Sequence, residues 1–353
     1  MSSLGERFSV LAKPVTRSLF AIIIGLVIGG LFLVIRGYDP LAGFYHLFKG
    51  AFFTEIGLAS TLGYTTTLLL VGITFGLGMR AGLFNIGAEG QLMMGALATV
   101  FASTFALPSG LNLLVGIIFS MLAGALWALP VAILKVKKGV HEVVSTIMLN
   151  WIAFYLCLYL VLGPLLNPGR SDISVQIQTN SRFPLLFGTL NAAIFIAILF
   201  AIIVYFIMWH TKLGCKIRAV GFDQESARYM GIKPGRAMMI GFIIGGLAAG
   251  LAGGALIMGV PPNYAVATNL SNIIGYGFAG IAVALIGRNH PLGMIFSAVF
   301  FGGLWSGKRN MQIFTGIPVE IVDVVIGIIV ICAALPELLD IIKKKIKRGT
   351  GSK

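Results

Sequence analysis

The chain has 353 residues, of which 58% are apolar and 11% charged, and its mean hydropathy is +0.96. A soluble domain carries about 25% charged residues, so this chain has too little polar surface to cover a water-facing globule, and lipid must be its main solvent. Lys and Arg number 26 against 12 Asp and Glu, a net charge of +14, which in such a chain reads as inner-side loop charge rather than a nucleic-acid surface.

A span needs about 20 mostly apolar residues to cross a hydrocarbon core of about 30 Å. In chain order this predicts ten, at 18–35, 57–79, 83–107, 111–134, 143–163, 189–209, 237–258, 272–287, 291–306 and 319–336. The first follows a basic stretch (Arg7, Lys13, Arg17) and shows no small-residue cleavage site, so it is expected to remain as a helix. With the N-terminus inside, twenty basic residues fall on inner segments. Six fall outside: Arg36, Lys49, Arg170, Arg182, Lys308 and Arg309. That bias places both termini in the cytoplasm. Lys308 and Arg309 fit it poorly and predict a short or partly re-entrant ninth span. The expected fold is an all-α integral membrane bundle, one transmembrane domain over 1–353. Its ten helices allow a 5+5 inverted repeat, because an odd half would enter the membrane from the opposite side.

Between the spans, 164–187 is a polar outer loop with three prolines, and 210–236 is the longest inner loop, with six basic residues. The basic tail 343–353 is expected to be cytoplasmic and to meet anionic lipid.

Several motifs look like chemistry and fail on inspection. Gly302 to Lys308 reads as GxxxxGK, but Arg309 stands where a phosphate loop needs Ser or Thr, and the stretch follows a helix rather than a strand. His141-Glu142 begins an HExxH zinc motif whose second histidine is Ser145. Cys157, Cys215 and Cys332 are scattered, so neither a disulfide framework nor a metal site is indicated. No enzyme, cofactor or metal is expected. GxxxG spacings at Gly25/Gly29, Gly72/Gly76, Gly241/Gly245 and Gly250/Gly254 predict close helix packing and nothing more specific.

Three polar features stand out against the apolar background. The first is Arg80 to Gln91, RAGLFNIGAEGQ. Leu92 to Leu107 gives only about 24 Å of helix behind it, so the motif begins within the membrane or at its edge. Asn85 is a candidate helix cap, with Glu89 in the first turn. An intramembrane carboxylate is costly unless paired or facing water. Glu89 therefore belongs either to a translocation path or to a structural contact with neighbouring backbone or Arg80. The second is the stripe Glu142, Thr146, Asn150, spaced i, i+4, i+8 on one face, which faces other helices or a water-filled path.

The third is Arg218 to Ile232 in the inner loop. Asp223 can cap a short helix that Gly231 ends. Ala227, Tyr229, Met230 and Ile232 would form a small apolar knob. Two turns of helix are unstable alone in water, so this one must dock on its own bundle or on a cytoplasmic partner. Glu320 and Asp323 share a face and are expected to pair with Lys308 or Arg309.

FNIGAEGQ (84–91), EVVSTIMLNWIA (142–153) and AVGFDQESARYMGI (219–232) resemble the permease subunits of bacterial ABC importers. The resemblance is to the nucleoside and simple-sugar uptake branch, related to the ribose and branched-chain amino acid permeases. It runs through most of spans two to ten, and the first motif points to nucleoside-type members. Glu225-Ser226-Ala227 with Gly231 resembles the EAA-xxx-G helix that seats on the ATP-binding subunit, with Ser226 in place of the usual Ala. The resemblance implies ATPase coupling through Asp223, Glu225, Ala227, Arg228, Tyr229 and Gly231. It also implies a cytoplasmic ATP-binding subunit, a second, paralogous permease subunit, and an extracellular solute-binding protein or lipoprotein, in a bacterial plasma membrane. For a nucleoside, the path residues would be Asn85, Glu89, Gln91 and Asn150, with Trp151, Phe84 or Tyr276 meeting a base face. A simple sugar such as ribose or galactose is the alternative solute. A proton-coupled transporter using Glu89 or Asp323, and a non-transporting scaffold, are the alternatives of other classes.

Overall fold

A computed structural model describes residues 21–332, except 106 and 109. Both chain ends, the tail 343–353, and the outermost residues of the first and last predicted spans lie outside the described residues. The described residues fall into two compact units, 59–302 and the pair of segments 21–58 and 303–332.

The elements of unit 59–302 begin with α3 (Glu55–Arg80), whose first residues belong to the other unit, and α4 (Ala88–Ala102). Then come α5 (Leu111–Lys138), α6 (Glu142–Leu162), α7 (Ala193–His210), α8 (Lys212–Phe222), α9 (Gln224–Tyr229), α10 (Pro234–Gly259) and α11 (Tyr276–Ile286). The helix α12 (Pro291–Thr315) starts here and ends in the other unit. Among the described residues five helices, α3, α5, α6, α7 and α10, are long and apolar enough to span a membrane, and they cover five of the predicted spans. Their outer faces stay apolar: Leu122 and Leu126 on α5, Tyr155 and Tyr159 on α6, and Leu199 and Phe206 on α7 are all exposed, as a lipid solvent requires.

The core of this unit is α10, packed on α4 and α5. Small residues make that approach possible. A Cβ on Gly250 would lie 3.0 Å from Gly124 Cα, and one on Gly95 would lie 2.6 Å from Gly250 Cα, so three backbones nearly touch at one point, as in membrane helix pairs with small interface residues. Thr74 Oγ1 adds a bond from α3, donating to Gly245 O at 2.8 Å. The predicted outer loop departs from all-α structure. It folds as two small antiparallel hairpins, β1 (Leu166–Asn167) with β2 (Arg170–Ser174) and β3 (Leu185–Phe187) with β4 (Leu190–Asn191). These rest on the segment after α10 through Ser174 N–H to Val266 O and Ile177 N–H to Tyr264 O, 2.8 and 3.0 Å.

In the other unit the described elements are α1 (Ala21–Ile35), α2 (Pro40–Phe52), the end of α12 and α13 (319–332). The helix α2 was not expected from hydropathy, yet its start is encoded. Asp39 Oδ1 accepts from Leu41 N–H at 2.8 Å, and Pro40 occupies the first turn, where its fixed φ and missing N–H cost nothing. The helix over the ninth predicted span is longer than expected, with 25 residues. The helix α12 runs unbroken through Lys308 and Arg309, because Lys308 pairs with Asp323 Oδ1 at 3.1 Å and lies over the Trp305 ring. The expected pairing of Asp323 with Lys308 is therefore present.

Candidate functional site

In unit 59–302 the apolar helices α4 and α11 are both too short to cross a membrane. The helix α4 has 15 residues and α11 has 11, about 22 and 16 Å at 1.5 Å per residue. Their N-terminal ends converge on one side chain. Glu89, in the first turn of α4 and 5% exposed, accepts the backbone N–H groups of Gly275 and Gly277. Gly275 is the N-cap of α11 at φ 94°, and no side chain of α11 caps that end. The positive ends of both helices thus lie against a single carboxylate, the arrangement a helix dipole favours. Of the two readings open for Glu89, the backbone contact is present, though with a segment 186 positions away in sequence rather than a neighbour.

Arg80, the other charge of the motif, does not meet Glu89. Its Nε donates to Asn289 O at 3.0 Å and its Nη2 to Arg288 O at 2.9 Å. Arg288 and Asn289 follow α11 and both have positive φ, 54° and 51°, a conformation L residues rarely adopt. A cation is thus placed on the carbonyls at the negative end of α11.

Asn85 is not the cap of α4; that position is Gly87, with no side-chain bond. Asn85 Oδ1 instead accepts Gly87 N–H at 2.9 Å and lies 3.5 Å from the Gln91 amide, closing an Asx turn that shapes the break. Asn85 and Gln91 are both 1% exposed. Asn150 completes the cluster from α6. Its Oδ1 accepts Gly90 N–H at 2.9 Å and its Nδ2 donates to Ile86 O at 3.0 Å. The stripe on α6 therefore faces the 84–90 segment along its length. Glu142 Oε1 lies 3.5 Å from Phe84 N and Oε2 is paired with Lys135 at 2.7 Å. Thr146 packs beside Gly87.

The structure thus brings together Asn85, Glu89, Gln91 and Asn150. Trp151 is not among them: it is 56% exposed on α6 and stacks on Tyr155. Phe84 sits edge-on to Phe75, and Tyr276 is buried at the start of α11. Gly275, Gly277 and Asn289 are not singled out by the sequence, and Arg288 counts there only as inner-side charge. The only hint was a glycine immediately before the apolar run of α11.

The segment predicted as the inner loop is more helical than expected. Its first half is α8, which turns from α7 at Thr211 and buries Ile217 and Val220. The short helix α9 follows without a loop. Asp223 caps it, accepting Glu225 N–H at 3.0 Å and the Ser226 hydroxyl at 2.7 Å; these two bonds hold its carboxyl below the usual range. Gly231 ends it at φ 76°. Glu225 and Arg228 form an exposed pair at 3.4 Å. Ala227 is fully buried and anchors α9 to the bundle, so it is not part of the knob. Phe222, Tyr229 and Met230 form it instead, at 96%, 92% and 66% exposure.

Comparison with known proteins places the chain among transport permeases. A family model described as "Branched-chain amino acid transport system / permease component" matches residues 57–334. The guanosine ABC transporter permease protein NupP of Bacillus subtilis (strain 168) is 35% identical over 97% of this chain and 98% of its own. The nucleoside ABC transporter permease protein NupB of Lactococcus lactis subsp. cremoris (strain MG1363) is 32% identical over 95% and 94%. The glucose ABC transporter permease protein TsgB13 of Haloferax volcanii is 30% identical over 88% and 84%.

Proposed function

Because the chain belongs to the permease-component family of branched-chain amino acid transport systems, we propose that it is the transmembrane permease of an ABC importer for nucleosides. It works in the plasma membrane, driven by ATP hydrolysis in a partner subunit. The observation that carries the solute class is the end-to-end likeness to a guanosine permease. The chain forms one permease domain of about ten membrane helices, α4 and α11 among them being too short to cross, with both termini in the cytoplasm, and pairs with a second, paralogous permease. A solute-binding protein or lipoprotein delivers the nucleoside from outside.

In this reading α9 is the coupling helix, with Asp223, Glu225, Ala227, Arg228, Tyr229 and Gly231 giving it shape and contact. The exposed Phe222 and Tyr229 supply the apolar surface that a partner would cover. ATP binding moves α9, and the bundle rocks between outward- and inward-facing states while the solute passes unmodified. Asn85, Glu89, Gln91 and Asn150 sit where two short helices meet inside the membrane, the place where transporters of discontinuous helices hold polar solutes.

The test is guanosine uptake by proteoliposomes holding the purified complex. Uptake that requires ATP on the cytoplasmic side is expected. Uptake driven by a proton gradient with no ATPase present would contradict the reading. The likeness to a glucose permease favours a second solute class, so glucose uptake without guanosine uptake would replace nucleoside by sugar.

A further inference from the structure

We propose that Gly82 and Gly221 are positioning residues: their contact carries motion of the coupling segment to α11. The inference rests on the coupling reading of α9 and goes beyond it by naming the route inward.

Three observations define that route. First, α8 and α9 are hydrogen-bonded to each other across Asp223. Asp223 N–H bonds to Ala219 O and Ala227 N–H to Asp223 O, both at 3.1 Å, so hydrogen bonding runs across their junction. Second, the end of α8 presses on the turn after α3. A Cβ on Gly82 would lie 3.2 Å from Gly221 Cα, and one on Gly221 would lie 3.0 Å from Gly82 N and overlap Arg80 O. No side chain stands between the two backbones, so a displacement of α8 is passed on undamped. The same helix reaches Arg80 a second way, since the Arg218 and Arg80 guanidinium groups both lie on the Trp209 indole, 5.4 and 5.6 Å from its centre.

Third, the turn at 80–82 leads directly into the two groups that hold α11. Arg80 bonds the carbonyls beyond its C-terminal end, and Glu89 bonds the N–H groups at its start. Shifting the turn shifts both grips together, so α11 follows as a rigid rod. The chain α9, α8, Gly221, Gly82, α11 is one of direct packing and hydrogen bonds, the physical kind of link that coupling between distant sites requires.

The experiment uses the full chain purified with its ATP-binding partner, in a Cys215→Ser background with Phe278→Cys carrying an environment-sensitive fluorophore. Phe278 lies on α11 and is 60% exposed. The probe is ATP followed by vanadate trapping, so no transported solute is needed. In the parent, trapping is expected to shift the emission. Gly82→Asn keeps the left-handed backbone, which Asn tolerates, but wedges the contact. It should cut the shift by about fivefold or more, the lower end of usual coupling, with unchanged ATPase co-purification. Gly221→Ala, placed on the other side of the contact, should do the same and decides the matter if Gly82→Asn does not assemble. A full shift in an assembled variant overturns the proposal, as does an assembled parent whose α11 label ignores nucleotide. A parent that does not retain the ATPase at all instead overturns the coupling reading on which the proposal stands.

Discussion

Arg80 and Glu89, both from one short motif, hold opposite ends of α11. The Arg80 guanidinium bonds the carbonyls of Arg288 and Asn289, and the Glu89 carboxylate bonds the N–H groups of Gly275 and Gly277. The carboxylate has the sign that complements the helix start it touches, and the guanidinium holds the carbonyls just past the helix's end. The polar motif is thus a clamp on a helix too short to be anchored by lipid alone.

Glu89→Gln tests the clamp. A neutral amide offers one acceptor oxygen and turns two donors toward N–H groups, so one bond to α11 is lost and the charge is removed. Hydrogen bonds to charged groups contribute roughly 1.5–3 kcal/mol, so ATP-driven solute uptake should fall about tenfold or more while the ATPase still co-purifies. Unchanged uptake kinetics would remove Glu89 from the transport path.

Asn150→Ala leaves Gly90 N–H and Ile86 O without their partner inside the bundle. A buried unsatisfied group costs about 1–3 kcal/mol. A lower midpoint in thermal unfolding of the detergent-solubilised chain is expected, by several degrees. Asn150→Asp should be worse, since it removes the donor and adds a charge. A midpoint equal to the parent's for both would mean that α6 does not brace the 84–90 segment.

The helix α9 should obey its cap. Asp223 titrates below the ordinary carboxylate range because the Ser226 hydroxyl and Glu225 N–H favour its charged form. Its contribution is therefore present above the unfolded value of about 3.9 and is lost only as pH falls through the lower folded value. Between pH 5 and 8, about one to four units above that reference, ATPase co-purification should show no dependence on this group. Asp223→Asn should preserve it, because Asn caps as well as Asp, and Asp223→Ala should weaken it. Equal retention by the Ala variant would argue against a docking role for α9.

Gly250 tests the packing seam. A valine there would drive side-chain atoms into Gly124 and Ser120, and overpacking of even well-behaved cores costs about 1–3 kcal/mol. Gly250→Val is expected to reduce membrane expression severalfold. Normal expression would show that α4, α5 and α10 can separate freely.

Five long spans were legible because hydropathy alone specifies them. The stripe on α6 was legible because its spacing is helical. Ala227 was assigned to the knob because sequence cannot tell which side of a two-turn helix faces the bundle. The partners of Glu89 and Arg80 were hidden for a different reason: they are backbone groups of a distant segment, and backbone carries no residue signature. The continuation of α12 past Lys308 was missed because its charge is offset by Asp323, a pairing that hydropathy does not register. The hairpins of 164–191 likewise depend on distant backbone, the first through Ser174 N–H to Val266 O and the second through Asn191 Nδ2 to Gly259 O, rather than on local pattern.

The most direct test of the whole account is the sidedness of Tyr229. A Tyr229→Cys chain in the Cys215→Ser background can be treated with a membrane-impermeant maleimide. Labelling is expected in inside-out vesicles stripped of the ATP-binding subunit, protection once that subunit is bound, and no labelling in intact cells. Labelling from the cell exterior, or equal labelling with and without the bound subunit, would contradict a permease worked from the cytosol through α9.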